Sequence, residues 1–208
     1  MGSQLSYIRR SRSTQSLDKI TLDENELRFL IASTKMSREQ IIDFHENFLR
    51  DCPSGYLTKK EFVKMFKELY HNEDLNDKAD KFCEYVFKAI DANSNNLIEF
   101  SDFIICFSTT TFGTLRDKIE LAFKIYDLNS NKRIDKYELT KVLDALFLFT
   151  NLANRERKDS RTTKQQVDFL MKKLDKNRNH VIEYDEFYNG IIEDEYVRSI
   201  LIDKMFNS

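Results

Sequence analysis

The segment DLNSNKRIDKYE (residues 127–138) has two close copies in the same chain, DANSNNLIEFSD (residues 91–102) and DKNRNHVIEYDE (residues 175–186). All three place Asp first, Asn third and fifth, Ile eighth, an acid ninth and a carboxylate twelfth. An internal repeat is the strongest clue a chain can give to its architecture. This spacing suits a hard divalent cation, which takes six to eight oxygens at about 2.3–2.6 Å. Side-chain oxygens come from Asp91, Asn93 and Asn95, from Asp127, Asn129 and Asn131, and from Asp175, Asn177 and Asn179. The seventh residue of each loop (Leu97, Arg133, Val181) offers a backbone carbonyl, and Asp102, Glu138 and Glu186 close the shell from the twelfth position. Ca²⁺ is therefore the expected cofactor. The apolar eighth residue is expected to point into the core and pair with its counterpart in a neighbouring loop through a short β-bridge.

Outward from the loops, each copy follows a run of helical periodicity. Residues 79–90 align Phe82, Tyr85, Val86 and Phe87. Residues 115–126 align Ile119, Ala122, Phe123 and Tyr126, and residues 167–174 align Val167, Leu170, Met171 and Leu174. A fourth unit, RDCPSGYLTKKE (residues 50–61), keeps Gly55 sixth and Leu57 eighth but starts at Arg50, with Cys52 third and Pro53 fourth. Its early oxygens are missing, so it is expected to fold without holding metal. Upstream, Ser37-Arg38-Glu39-Gln40 forms a capping box that opens a helix carrying Ile41, Phe44 and Phe48 on one stripe. Helix–loop–helix units of this kind are EF-hands. The expected fold is all-α, with four EF-hand units paired into two lobes and short β-bridges between paired loops. A basic arm (1–22) precedes an N-terminal lobe (23–110), in which the disabled hand pairs with loop 91–102. A C-terminal lobe (111–208) pairs loop 127–138 with loop 175–186 and ends in a helix.

Composition agrees. Four Gly and one Pro among 208 residues are too few for the frequent turns of a sandwich or barrel. A net charge of −2 gives no footprint for nucleic acid. Phosphate-binding glycine loops and zinc-protease motifs are absent. His45, His71 and His180 are the three histidines; His71 sits in a polar linker and His180 in a metal loop, so no triad can be argued and no enzyme is expected. Cys52, Cys83 and Cys106 are scattered and read as free thiols in a reducing compartment. The start of the chain runs from polar residues into Arg9, Arg10 and Arg12, so no secretory leader is expected, and no apolar window is long enough to span a bilayer.

The chain resembles the neuronal calcium sensor family in Gly2 and Ser6 of MGSQLS, in Cys52-Pro53-Ser54-Gly55 of the disabled first loop, and in the three further loops. The resemblance covers the chain from about Asn25 onward. It implies two EF-lobes in one body, a hydrophobic groove for a partner's helix, and an N-myristoyl group that calcium expels. Departures from the family pattern bear on affinity. The sixth loop position, where the chain turns with φ > 0, holds Asn96, Lys132 and His180 instead of Gly, and Lys there costs about 1 kcal/mol. Position five is Asn throughout, which lowers the charge of each shell. Asp102 is one methylene shorter than Glu, which favours Mg²⁺ or weak Ca²⁺ binding in that loop. The expected affinities lie on the order of 10⁻⁵ M or weaker, best at Asp127 and Asp175.

Gly2 fits an N-myristoylation pattern, and the following arginines supply the second signal that anchoring on an anionic membrane needs. The alternative is a solvated basic arm without lipid. Phe44, Phe48, Phe62, Phe66, Phe82, Tyr85 and Phe103 are candidates for a groove that takes an amphipathic helix of a channel, kinase or cyclase. The amphipathic run 195–206 either fills that groove or docks on the second lobe. The expected function is a calcium sensor or adaptor, cytoplasmic and peripheral on the cytoplasmic face of membranes. The alternatives are a constitutive subunit with weakly metal-binding loops and a Ca²⁺/Mg²⁺ buffer.

Overall fold

The computed structural model describes residues 22–69, 77–91, 93–150 and 162–206. Gly2 and the N-terminal arginines lie outside the described residues. Helix α1 (Glu24–Ser33) starts at Asp23, whose carboxylate accepts the N–H groups of Asn25 and Glu26. Helix α2 (Arg38–Asp51) opens with the capping box read from the sequence, Gln40 Oε1 accepting the Ser37 N–H at 2.8 Å. Strand β1 (Tyr56–Thr58) and α3 (Lys59–Leu69) complete the first hand. The second consists of α4 (Asp77–Ile90), β2 (Leu97–Glu99) and α5 (Phe100–Phe112). The third is α6 (Leu115–Tyr126), β3 (Arg133–Asp135) and α7 (Lys136–Phe149), and the fourth is α8 (Thr163–Leu174), β4 (Val181–Glu183) and α9 (Tyr184–Glu193).

The strands pair as the eighth-position isoleucines require. β1 lies antiparallel to β2 with Leu57 opposite Ile98, and β3 antiparallel to β4 with Ile134 opposite Ile182. Leu57 is 3% exposed and the three isoleucines are fully buried, so each bridge is also a core contact. Burial of such a side chain stabilises by about 1.5–3 kcal/mol.

The chain divides into two compact units, one within Met1–Glu73 and Ile90–Gly113, the other within Asp74–Ala89 and Thr114–Ser208. Leu27, Leu30, Ile41, Phe62 and Ile104 form the interior of the first, and Ile119, Leu139, Val142, Leu170 and Phe187 that of the second. This differs from the division read in the sequence at one element. Helix α4, assigned there to the N-terminal lobe, groups with the second unit. Phe82 of α4 packs on Phe149 of α7 with ring centroids 5.1 Å apart, and the Lys88 ammonium donates to the Leu128 carbonyl.

The amphipathic run after α9 docks on the second unit. Helix α10 (Glu195–Arg198) passes into a π-helical turn (Ser199–Asp203) and a last helical turn (Lys204–Phe206). Ile200, Leu201 and Ile202 of the π-helical turn are all buried. Among the described residues no helix is long and apolar enough to cross a membrane.

Candidate metal centres

Each of the three loops is shaped by its own side chains. In loop 127–138, Asp127 Oδ1 accepts the Asn131 N–H at 3.0 Å and Oδ2 the Lys132 N–H at 2.8 Å. Asn129 Oδ1 also accepts from Asn131, and Asn131 Oδ1 accepts from the Arg133 N–H at 2.9 Å. Loop 91–102 repeats the set: Asp91 takes Asn95 and Asn96, Asn93 takes Asn95, and Asn95 takes Leu97. Loop 175–186 repeats it again, with Asp175 on Asn179 and His180, Asn177 on Asn179, and Asn179 on Val181. Side-chain oxygens of positions 1, 3 and 5 are thereby drawn to the inside of one tight turn, where a cation of calcium's size would meet them.

The backbone follows suit. The sixth residues, Asn96, Lys132 and His180, have φ of 63°, 66° and 68°, the left-handed conformation expected for that position. The fourth residues, Ser94, Ser130 and Arg178, are also left-handed, at 56°, 60° and 61°. The sequence reading missed these, because Ser and Arg carry no preference for that region. The signal available was the pair of Asn side chains at positions 3 and 5, which fold the intervening peptide by capping two residues on.

The twelfth position separates the loops. Glu138 accepts the Asp135 N–H at 3.0 Å with one oxygen and the Asn129 N–H at 3.1 Å with the other. Glu186 likewise accepts from Glu183, and folds back to Lys176 and Asn177 at 2.9 and 3.2 Å. Both carboxylates thus span the loop from its end to its beginning. Asp102 accepts the Glu99 N–H at 3.2 Å, and among the described residues no N–H from the start of its loop reaches it. Burial raises the Asp102 carboxyl above the ordinary carboxylate range, the Glu99 N–H opposes this, and the charges of Glu99 and Asp91 add to it. Glu138 is raised first by burial, pulled down by its two backbone donors, and pushed up by Asp135 and Asp127. A dication in the loop would reverse that repulsion. The residues of loops 127–138 and 175–186 fit Ca²⁺ in donor chemistry: each loop carries four side chains with the hard oxygens the ion takes, and its closing Glu reaches the N–H of the third residue. Among the described residues no group of three or more His, Cys, Asp or Glu side chains gathers as a metal cluster. The third and fifth positions are amides, so the carboxylates of a loop stand at its ends and at the ninth residue, with Asp185 besides in loop 175–186.

In the first hand Arg50 lies in the last turn of α2, and Cys52 is buried at that helix's C-cap. Burial, then Asp51 and Glu61, push the Cys52 thiol up to about 12. Gly55 keeps the left-handed turn at φ 81°. Glu61 accepts the N–H and hydroxyl of Thr58 at 2.8 and 2.7 Å, the twelfth-to-ninth contact of the other hands. The skeleton of the hand survives its loss of early oxygens.

The aromatic candidates fall into three groups. Phe48, Phe62 and Phe82 are buried. Phe44, Phe66 and Phe103 are half-buried on the first unit, and half-buried Tyr85 lies with Phe82 in the second. On the first unit Phe107 stands 4.9 Å from Phe44 and 6.3 Å from Phe112, which is 45% exposed. Their neighbours along α5, Ser108 to Thr111, are polar, which hid them from a reading based on apolar periodicity.

Comparison with known proteins agrees with this geometry. The EF-hand domain pair family matches residues 116–192, the two hands of the second unit. Neuronal calcium sensor 1 of Lymnaea stagnalis is 30% identical over 173 residues, covering 83% of this chain and 88% of the relative. Human recoverin is 26% identical over 188 residues, covering 89% and 90%. A guanylyl cyclase inhibitory protein of Lithobates pipiens is 27% identical over 164 residues, covering 77% and 78%. The first of these relatives is named for sensing calcium and the third for inhibiting a guanylyl cyclase. Two paired EF-hand units, the Asp-Asn-Asn loops closed by Glu138 and Glu186, and similarity along most of its length place the chain in the neuronal calcium sensor family of EF-hand proteins.

Proposed function

We propose that this protein is a calcium-dependent adaptor that binds Ca²⁺ through Asp127, Asn129, Asn131 and Glu138 and through Asp175, Asn177, Asn179 and Glu186, and then grips an amphipathic helix of a partner. The carrying observation is the fold-back of Glu138 and Glu186 across their loops, which couples the end of each loop to its start. The carbonyls of Arg133 and Val181 complete the shells. Loop 91–102, closed only by Asp102, takes Mg²⁺ or weak Ca²⁺. In a sensor hand, Ca²⁺ swings the paired helices apart and exposes apolar surface. The row of half-buried Phe44, Phe103 and Phe107 with exposed Phe112 on the first unit supports a receiving surface there. A relative named for inhibiting a guanylyl cyclase supports a partner of cyclase type, beside kinase and channel types. The N-terminal arm, with Gly2 as the acylated residue, would hold the protein on the cytoplasmic face of a membrane.

Calorimetric titration of Ca²⁺ in the presence of Mg²⁺, paired with a hydrophobic-dye assay, tests this reading. Saturable binding that raises dye fluorescence supports the adaptor. Binding with no change in dye marks a buffer, and absence of binding up to millimolar Ca²⁺ marks a constitutive subunit.

A further inference from the structure

One face of α8 holds the start of the C-terminal segment. Gln166, Phe169 and Lys173, spaced three and four residues apart, stand on the same side of that helix. The Tyr196 hydroxyl donates to Gln166 Oε1 at 3.1 Å, and the Tyr196 ring meets Phe169 edge-on with centroids 5.5 Å apart. The Lys173 ammonium pairs with Asp194 at 3.0 Å. Asp194 is at once the C-cap of α9 and the N-cap of α10, where it accepts the Tyr196 and Val197 N–H groups. Below these contacts α8 and α9 touch directly, for a Cβ added at Gly190 would lie 2.0 Å from Leu174 Cδ2. Beyond them Val197, Ile200, Leu201, Ile202 and Met205 are each no more than 4% exposed. Both helices of the fourth hand are therefore tied together from outside the metal loop.

In this clamped arrangement loop 175–186 already has its metal-holding shape, with Asp175, Asn177 and Asn179 turned inward and Glu186 folded back. We infer that residues 194–206 are a clamp that preorganises the fourth hand for Ca²⁺, so that docking of this segment and occupancy of loop 175–186 favour each other. The inference rests on the metal-binding reading above. Linkage fixes its form: a contact that stabilises the metal-ready hand raises affinity, and the ion stabilises the contact by the same factor. A segment that instead acted as a plug, expelled when the hand fills, would give the opposite sign at both ends.

The test uses the full chain carrying Asp91→Asn and Glu138→Gln, which leaves loop 175–186 as the remaining calcium site. Calorimetric titration with Ca²⁺ is compared before and after Tyr196→Ala. The clamp predicts affinity about fivefold weaker in the Tyr196→Ala protein. Tyr196→Phe, which keeps the ring on Phe169 and loses the hydroxyl bond to Gln166, should fall between the two. Hydrogen exchange at amides 197–205 of the Tyr196→Phe protein gives a second readout, with slower exchange expected when Ca²⁺ saturates. Unchanged or tighter affinity, or exchange that Ca²⁺ leaves alone or accelerates, overturns the clamp. Failure of the Asp91→Asn, Glu138→Gln protein to take up any Ca²⁺ overturns the metal reading itself, and the clamp with it.

Discussion

Loops 91–102 and 127–138 share the same Asp-Asn-Asn framework and left-handed turns at the same two positions, and at the twelfth position part company over one methylene group. Glu138 crosses its loop to the Asn129 N–H at 3.1 Å, whereas among the described residues Asp102 takes the Glu99 N–H alone, at 3.2 Å. The front half of an EF-hand loop is thus built by short-range bonds from side chain to backbone, whatever closes it. Closure depends on the length of a single side chain. In the first unit one hand lacks the front half and the other closes on the shorter Asp102. In the second unit both hands have both.

The comparison breaks most decisively at the closing carboxylates. Glu138→Gln with Glu186→Gln removes one charge and one bidentate ligand from each loop, and should weaken Ca²⁺ binding there by about a hundredfold. Isothermal titration reads this directly, and retained affinity would mean that closure is not what distinguishes the units. Next in size is the converse change. Asp102→Glu restores the missing reach and should tighten Ca²⁺ at loop 91–102 about tenfold relative to Mg²⁺. Titration against that double-Gln background isolates the loop; an unchanged Ca²⁺/Mg²⁺ preference would assign the difference to the front half instead. Smaller still is relief of backbone strain. Lys132 holds φ at 66°, so Lys132→Gly should stabilise the second unit by about 1 kcal/mol, a rise of a few degrees in melting temperature. Asn96→Gly, at φ 63°, should gain less, because Asn tolerates that region.

The smallest effect is one of pH, and it belongs to the first unit. His45 is buried, its ring 4.7 Å from Phe100, and burial lowers its pKa below the usual 6.5. The folded state thus prefers the neutral imidazole. Its contribution is fully present above pH 6.5 and is lost as pH falls below that toward the lowered value. Thermal melts between pH 7.5 and pH 5 should show the first unit weakening, and His45→Leu should flatten the slope. An equal slope in both proteins would move the effect to the carboxylates.

The loops were legible because their shape is made by the residues that define the motif. The eighth-position isoleucines were legible for the same reason, since a lone apolar residue in a polar loop has few places to go. Helix α8 was read four residues short. Its first turn, Thr163 to Gln166, is polar, and the start signal lay in the capping box of Thr162 and Gln165 and not in apolar periodicity. Gln166 is also buried, which hydrophobic patterning excludes. The grouping of α4 with the second unit was not legible, as it depends on the packing of Phe82 on Phe149, far away in sequence. Nor could spacing tell a core phenylalanine from one lining a groove. Phe48 and Phe44 lie on the same stripe of α2, and one is 6% exposed while the other is half-buried. The π-turn at Ser199–Asp203 left only an unbroken apolar run, Ile200-Leu201-Ile202, as its trace.

The side-chain bonds that hold the front half of each loop also bear on the speed of binding. With Asp127, Asn129 and Asn131 already fixed by backbone N–H groups, little chain ordering remains for an arriving ion to drive. The rate of entry then follows the ion's willingness to shed water, and Mg²⁺ dehydrates far more reluctantly than Ca²⁺. During a brief rise of Ca²⁺ over a steady Mg²⁺ background, the second unit would sort the two ions by arrival time before equilibrium affinity has had time to act.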